Sequence, residues 1–280
     1  MGSMQRHRFT VLSTPRRLVV GLIVFGAACH RQLPPPAPAP ARAPRPTPAP
    51  PAAGAVTSAT TLIDAMHDRY AAHWFHTLAF TQRTTVSLSS GGQVVQTWKG
   101  TEDLPGCQRI DTDVASNSGM LYVGDSTYTF SNGRLTNVAP RTNELLVLGG
   151  DLYTQPPTRG SAELRALGFD LYRFHETTWH GDPVYVVGAL RGDSLSKQFW
   201  VDRERLLVVR VLERTSQGRT DLRLSDFRRA GEGWVAGEVV QYVNGKRRVT
   251  EVYDDLRPDV PVSDAMFDPH AWSRVTSRRP

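Results

Sequence analysis

The sequence predicts a mainly β (α+β) domain built on one curled antiparallel sheet, and three observations support this prediction. Apolar and polar residues alternate with a period of two in one segment after another between residues 78 and 256. Two Asn-Gly pairs, at residues 132–133 and 244–245, favour tight hairpins at the ends of such segments. Strands and helices do not alternate along the chain, which excludes a parallel α/β architecture. A single sheet of this length must curl, and a helix on its concave side would enclose an apolar space.

The first element of the predicted domain is an amphipathic helix that starts soon after Thr57, capped by Thr60 or Thr61. Its apolar residues recur every four positions and form one stripe: Leu62, Met66, Tyr70 and Trp74. We expect this stripe to face the sheet, so that the helix covers the enclosed space as a lid.

The strands follow the helix. The predicted strands are Leu78–Leu88, Val94–Trp98, Gln108–Val114, Met120–Val123, Ser126–Phe130, Val184–Leu190, Gln198–Val201, Leu206–Glu213, Thr220–Phe227, Trp234–Val243 and Arg248–Leu256. Hairpin turns are predicted at Asn132-Gly133, Gly231-Glu232-Gly233 and Asn244-Gly245. The alternation breaks between Asn143 and Phe174, where Ser161–Gly168 predicts a short helix closed by glycine. A last turn is expected at Ser263–Phe267.

The positive net charge of +6 belongs to the amino-terminal part of the chain. Residues 1–55 contain seven of the 33 basic residues and no acidic residue, so residues 56–280 carry 26 basic and all 27 acidic residues. A nucleic-acid groove needs a local basic excess. The charge balance therefore argues against a nucleic-acid partner.

The chain begins like a secreted protein. Four arginines precede eleven apolar residues, Leu18–Ala28, which is long enough for a signal peptide but too short to span a bilayer. Gly26 and Ala28 are small enough to permit cleavage before Cys29. This leader resembles that of bacterial lipoproteins, which implies lipidation of Cys29 and a membrane-anchored protein facing the periplasm, with the outer membrane favoured. Ordinary secretion with an unmodified Cys29 is the alternative.

Between the leader and the domain lies a spacer with ten prolines from Pro34 to Pro51. Such a stretch favours an extended polyproline-type conformation, which suits a domain held away from a membrane. The predicted organisation is a signal peptide at 1–28, a Pro/Ala-rich tether at 29–56, one β domain at 57–272 and a basic tail at 273–280.

Short motifs spread over most of residues 57–272 resemble the periplasmic lipoprotein-carrier superfamily, which includes the outer-membrane lipoprotein-sorting proteins. These motifs are Phe80-Thr81-Gln82, Arg109-Ile110-Asp111, Gly124-Asp125 with Tyr128 and Phe130, Gly181-x-Pro-Val-Tyr-Val-Val, Trp200-Val-Asp202 before Leu206-Leu207, and Phe267-Asp-Pro269. The resemblance implies an unclosed barrel with helices as a lid, which holds acyl chains and performs no catalysis. One position departs from the sorting chaperone: Leu104 stands where that protein has a basic residue that latches the lid.

The expected ligand is a lipid or the acyl chains of a lipoprotein, held in an apolar hollow for transport or sensing. The candidate lining residues of the hollow are Phe80, Trp98, Tyr128, Phe130, Trp200, Leu222 and Leu224. No cofactor and no metal are expected. The alternative function is a non-catalytic structural or interaction module of the envelope, with a filled core and an envelope protein as partner.

Catalytic and metal motifs are weak. Gly192-Asp193-Ser194-Leu195 matches a lipase-type nucleophile block, but it falls late in the chain, and the Asp-x-x-His motif is missing after it. His175 and His180 are five residues apart, whereas a zincin helix needs a spacing of four. An enzymatic role requires Ser194, or the pair Asp111 and Asp113, to lie in a cleft beside a histidine.

Overall fold

The computed structural model describes residues 55–140 and 142–275. The predicted leader, Cys29 and the tether up to residue 54 lie outside the described residues. The first helix, α1, spans Ala59–Tyr70. Ser58, rather than Thr60 or Thr61, caps it: the Ser58 side chain accepts from Thr61 N at 3.1 Å, and Ser58 N donates to Thr61 Oγ1 at 3.0 Å.

Thirteen strands form one antiparallel sheet in the described part of the chain. They are β1 (Thr77–Ser87), β2 (Gln93–Asp103), β3 (Cys107–Asp113), β4 (Ser118–Val123), β5 (Ser126–Ser131), β6 (Arg134–Pro140), β7 (Phe174–Trp179), β8 (Asp182–Val187), β9 (Gln198–Asp202), β10 (Val208–Thr215), β11 (Gly218–Ala230), β12 (Gly233–Val243) and β13 (Lys246–Pro258). The order is β6-β5-β4-β3-β2-β1-β13-β12-β11-β10-β9-β8-β7, and the sheet does not close into a barrel. The first and last strands therefore pair in the middle of the sheet, and β6 and β7 are its edges.

The predicted Asn-Gly turns are confirmed. Asn132-Gly133 and Asn244-Gly245 connect β5 to β6 and β12 to β13, and all four residues have positive φ, as a type I′ hairpin turn requires. His180-Gly181 has the same conformation between β7 and β8, so His180 belongs to a hairpin and not to a helix.

A helical insertion connects the two edge strands, β6 and β7, and covers the sheet between them. It consists of α2 (Glu144–Leu146), a π-helical turn (Val147–Asp151), α3 (Leu152–Thr154) and α4 (Pro157–Ala166). The predicted helix Ser161–Gly168 corresponds to α4, which starts four residues earlier at Pro157. The apolar run Leu145–Leu148 was not predicted as helical, because a short continuous apolar run has no clear period.

The sequence pattern does not predict two of the strands, β6 and β7. Most side chains of β6 are exposed, and those of β7 are exposed or half-buried. Edge strands of this kind lack the alternation of apolar and polar residues by which a half-buried strand is predicted.

Each face of the sheet carries its own apolar cluster. The larger one, on the face that we call the inner face, combines α1, the insertion and strands from both halves of the sheet, so the sheet curls around its helices. The smaller cluster contains Leu121, Phe130, Phe267 and Trp272. Because Met120 and Tyr122 pack against the larger cluster while Leu121 packs in the smaller, the smaller cluster lies on the outer face.

The outer cluster is covered by the carboxyl-terminal segment. This segment contains two short 3-10 helices, Asp264–Met266 and Pro269–Ala271. Its Trp272 stacks on Phe130 with ring centroids 4.3 Å apart, and its indole N–H donates to the Asn117 carbonyl at 3.2 Å. We call this segment and the residues beneath it the carboxyl-terminal clasp.

Candidate functional site

The inner face holds a small apolar cavity between the helices and the sheet, which we call the chamber. Its volume is about 90 Å3. Trp74 and Tyr153 line it from the helical side, and Phe80, Leu224 and Tyr253 line it from the sheet. The rings of Trp74 and Tyr153 stack with centroids 4.2 Å apart. The chamber is therefore walled by aromatic and aliphatic side chains, as ligand sites for apolar groups are.

The helical side of the chamber is attached to the sheet by hydrogen bonds from its aromatic residues. The Tyr70 hydroxyl donates to the Arg205 carbonyl at 2.5 Å, and the Tyr153 oxygen accepts from Val208 N at 3.2 Å. Both contacts satisfy polar groups that burial would otherwise leave without a partner.

A larger groove of about 690 Å3 adjoins the chamber. Leu145 and Val239 line both spaces, so they form the partition between them. The groove has an apolar side that includes Leu222 and Val249, and a polar side described below. A volume of this size lies in the range of ordinary small-molecule sites.

Two carboxyl groups are buried where the chamber and the groove meet the sheet. Gln108 donates to Glu102 Oε1 at 2.7 Å, and burial raises the pKa of Glu102 to about 7. The Tyr253 hydroxyl donates to Glu251 at 2.8 Å, and burial raises the pKa of Glu251 as well. Desolvation disfavours the charged form of each carboxyl, and the hydrogen bond opposes this effect only in part.

The hairpin between β2 and β3 contacts the insertion at Gly150 and Asp151. Gly106 N donates to Asp151 Oδ1 at 3.0 Å, and burial raises the pKa of Asp151 to about 7. Leu104 is buried against Gly150, where an added Cβ would stand 2.8 Å from a Leu104 methyl. The hairpin is therefore attached to the insertion by the apolar contact of Leu104 and the hydrogen bond of Gly106. The basic residue of the sorting chaperone has no counterpart at Leu104.

Some of the predicted lining residues come together in this site. Phe80 and Leu224 line the chamber, and Leu222 lines the groove. Trp98 packs against the inner cluster without lining either cavity. The four predicted lid residues, Leu62, Met66, Tyr70 and Trp74, are all buried in the inner cluster.

Three predicted lining residues lie elsewhere, which corrects the prediction for them. Tyr128 and Phe130 belong to the outer cluster beneath Trp272. Trp200 lies at the Arg210 guanidinium, 4.7 Å from its ring centroid, whereas Phe199 on the same strand is buried in the inner cluster. Consecutive residues of a strand point to opposite faces, so Phe199 occupies the inner position that the sequence pattern predicts for Trp200.

Several residues of the site were not predicted. Tyr153 and Leu148 come from the part of the insertion before α4, for which the sequence predicts no helix. Glu102 lies on β2 beyond the predicted end of that strand, and Tyr253 lies on a predicted strand. A sequence signal existed for Tyr253, because Glu251, two residues earlier on β13, is a polar residue on the same face of the strand. A polar residue at an inner position of a buried strand marks a place where a cavity or a hydrogen bond must accommodate it.

The catalytic and metal motifs are placed as ordinary structural features. Asp193 accepts from Leu195 N and Ser196 N, which makes Gly192-Asp193-Ser194 part of a turn. Asp111 pairs with the fully buried Arg109. Among the described residues, no group of three or more His, Cys, Asp or Glu side chains is arranged to hold a metal ion. Within the same residues, the helices are too short or too polar to cross a membrane.

Comparison with known proteins gives similarity of structure only. No protein-family model matches the chain, and no curated protein matches it. A LolA superfamily protein from Nitrosomonas europaea matches with a TM-score of 0.51 and 11% identity over 76% of this chain and 98% of its own. A protein domain from Vibrio parahaemolyticus, named for outer membrane lipoprotein sorting, matches with a TM-score of 0.52 and 9% identity over 77% of this chain and 98% of its own.

A DUF1329 family protein from Desulfovibrio piger matches with a TM-score of 0.51 and 14% identity over 76% of this chain and 97% of its own. These matches cover nearly the whole of each solved structure, and at such low identity they establish the architecture rather than the activity. With its open antiparallel sheet curled around a helical cover, the chain has the fold of the LolA superfamily.

Proposed function

We propose that this chain is an envelope protein that binds an acyl-bearing ligand, a lipid or a lipoprotein, in the chamber and the adjoining groove. The observation that carries the proposal is the apolar chamber between Trp74 and Leu224, which shares Leu145 and Val239 with an adjoining groove of about 690 Å3. The fold shared with LolA superfamily proteins supports it. The role is holding or carrying a ligand, without catalysis.

Binding would be driven by removal of the chain from water, at about 0.8 kcal/mol per buried methylene. An engineered cavity of about 150 Å3 holds benzene, and the chamber of about 90 Å3 is smaller. A long acyl chain therefore has to run along the groove or displace part of the helical cover. The contacts that such a movement breaks are the stacking of Tyr153 on Trp74 and the hydrogen bonds of Tyr70 and Tyr153.

Attachment to a membrane is the second part of this proposal. Cleavage before Cys29, acylation of that cysteine and a proline-rich tether would hold the domain at the periplasmic side of a membrane, with the outer membrane preferred. Labelling of cells with a radioactive fatty acid tests this part. We expect label in the wild-type chain and none in Cys29→Ser, and label in Cys29→Ser would contradict it.

Uptake of N-phenyl-1-naphthylamine, a neutral fluorescent apolar probe, tests ligand binding. Gly149 is an exposed residue that lines the chamber at its rim, and a Cβ added there meets no atom within 4 Å. Gly149→Leu should therefore narrow the opening of the chamber and weaken uptake at least about tenfold, whereas Gly149→Ala should leave uptake close to that of wild type. Equal uptake by all three proteins, or none by wild type, would refute the proposed site.

The small volume of the chamber favours one second candidate, a non-catalytic interaction module of the envelope with a nearly filled core. This candidate predicts no uptake of the probe and no lipid carried through purification, as measured by native mass spectrometry. The same two measurements therefore separate the two functions.

A further inference from the structure

The first part of the helical insertion borders both the chamber and the groove, and we call residues 143–151 the gate. The gate residues that line the chamber are Leu145, Leu146, Leu148, Gly149 and Gly150. Leu145 also lines the groove, and Asn143 and Glu144 belong to its polar side. A displacement of the gate would therefore join the two spaces and widen the opening at which Gly149 is exposed.

Both ends of the gate are attached to the hairpin between β2 and β3. At the first end, Asn143 Nδ2 donates to Gln108 Oε1 at 2.6 Å. At the second end, Asp151 Oδ1 accepts from Gly106 N at 3.0 Å. These two hydrogen bonds, together with the apolar contact of the hairpin, hold the gate closed against the sheet.

A carboxyl group takes part in the contacts at each end. Gln108, which accepts from Asn143 at the first end, donates to Glu102 Oε1 at 2.7 Å, and Glu102 lines the chamber. Asp151 at the second end is 2% exposed. Burial, and for Glu102 also the charge of Asp151, raises the pKa of each group to about 7. The two carboxyl groups are therefore close enough to repel each other when both are ionised.

The neighbouring elements do not neutralise these carboxyl groups. The charged and titratable groups around them are Asp103 and Cys107 on the hairpin, Arg159 and Glu163 on α4, Tyr122 on β4, and Glu251 and Tyr253 on β13. Arg159 pairs with Glu163 at 3.2 Å, and Lys197 pairs with Glu144 in the gate. Among the described residues, neither Glu102 nor Asp151 has a cation within ion-pair distance.

We infer that the gate is a pH-sensitive closure of the ligand site: it is held closed while Glu102 and Asp151 are protonated and opens when both lose their protons. Ionisation places two like charges in a poorly hydrated space, and displacement of the gate admits water to them. The ligand is then held at acidic pH and exchanged at neutral and alkaline pH. This inference rests on the proposed function and adds its regulation.

The direction of the pH dependence follows from the two states of the gate. With the gate open and the carboxyls hydrated, the pKa values are the ordinary ones, 4.5 for Glu102 and 3.8 for Asp151, against about 7 in the closed state. The closed state therefore binds more protons between these values. Closure is strongest below about pH 4 and weakens as pH rises to about 7, by at most about tenfold per pH unit for each carboxyl.

The rate of probe uptake at pH 5 and pH 8 tests the inference. The protein is the full chain carrying Cys29→Ser, which cannot be acylated at residue 29, and the probe is the neutral N-phenyl-1-naphthylamine. Stopped-flow fluorescence measures the rate. We expect uptake at least about tenfold faster at pH 8 than at pH 5. Equal rates, or faster uptake at pH 5, would overturn the gate.

The double variant Glu102→Gln/Asp151→Asn removes both charges and keeps both acceptor oxygens. It should take up the probe at the slow rate of pH 5 at both pH values. The matched control is Glu251→Gln, which removes another buried acid of the inner face, hydrogen-bonded to Tyr253 rather than to the gate or the hairpin. The control should keep the pH dependence of wild type. Loss of this dependence in the control, or its persistence in the double variant, would contradict the inference.

A third variant loosens the gate without changing any charge. In Asn143→Ser, the serine side chain keeps an acceptor for Leu145 N at the start of α2 but is too short to reach Gln108. Uptake at pH 5 should become about fivefold faster, as expected for the loss of one hydrogen bond. An unchanged rate would mean that the gate does not control access. The profile of wild type and this variant remain decisive if the double variant does not fold.

The outcomes separate the two proposals. Uptake of the probe at a rate that does not depend on pH would overturn the gate and leave the proposed function in place. No uptake at any pH would overturn the proposed function and the gate with it.

Discussion

The two faces of the sheet both bury stacked aromatic rings under a covering segment, but with different results. On the inner face, Trp74 stacks on Tyr153 at 4.2 Å beside a chamber of about 90 Å3. On the outer face, Phe130 stacks on Trp272 at 4.3 Å, and neither residue lines the chamber or the groove. Similar side chains therefore serve a cavity on one face and solid packing on the other.

The difference comes from the covering segments. The inner cover contains a π-helical turn with two glycines: a Cβ added at Gly149 would meet no atom within 4 Å, whereas one at Gly150 would stand 2.8 Å from Leu104. In the clasp, the Trp272 ring lies between Phe130 and the Arg109 guanidinium, which is 3.8 Å from the ring centroid. Aromatic content alone therefore does not locate a binding site. The site depends on how closely the covering segment packs against the sheet.

The largest expected effect is at the clasp. Trp272→Ala should lower the free energy of unfolding by about 3–5 kcal/mol, because it removes a fully buried ring. Binding of the neutral probe to the chamber should not change. Urea denaturation and probe titration measure the two effects, and Trp272→Phe, which keeps the stacking on Phe130, should recover most of the stability. A loss of probe binding in proportion to the loss of stability would contradict the separation of the two faces.

One leucine on each face of the sheet tests whether the two faces are independent. Leu146→Ala on the inner face and Leu121→Ala on the outer face should each cost about 2–5 kcal/mol. Leu146 lines the chamber and Leu121 belongs to the outer cluster, so only Leu146→Ala should enlarge the chamber and alter probe affinity. Equal changes in probe affinity for the two variants would show that the faces are not independent.

The buried carboxyl group of Glu102 makes the stability of the protein depend on pH. The pKa of Glu102 is about 7 in the folded protein against an ordinary value of 4.5, so the folded state binds more protons than the unfolded state between these values. Its contribution to stability is therefore highest below pH 4.5 and falls as pH rises to about 7.

Glu102→Gln, which mimics the protonated acid, should accordingly raise the free energy of unfolding by about 1–3 kcal/mol at pH 8. The gain should disappear near pH 4, and Glu238→Gln on β12 is the control. Urea denaturation at both pH values measures it. A stabilisation that does not depend on pH would contradict the burial of the charge.

The smallest expected effect concerns the cap of α1. Ser58→Ala removes the acceptor of Thr61 N and should cost about 1 kcal/mol. Because α1 covers the inner face, hydrogen exchange should accelerate in Ala59–Tyr70 more than in the clasp. The neighbouring exposed Thr60→Ala should have little effect, and equal acceleration in α1 and the clasp would mean that the two covers open together.

Much of the fold was predictable because it depends on short-range patterns. The stripe from Leu62 to Trp74, the alternation along the long strands and the Asn244-Gly245 turn each act within about ten residues. The edge strand β6 was not predictable, since its exposed side chains carry no alternation. The site was predicted only in part: Phe80 and Leu224 line the chamber, but Tyr153 comes from the insertion, 73 residues along the chain from Phe80.

The amino-acid sequence by itself determined the period of each segment, the positions of the turns and the apolar face of the first helix. Only the tertiary structure decided that β1 pairs with β13 and which face of each strand turns inward. The physical reason is that β9 is apolar on both faces, with Phe199, Trp200 and Val201 in succession, so local hydrophobicity cannot choose between them. Likewise, Phe130 faces outward because Trp272, which is distant in sequence, covers it there.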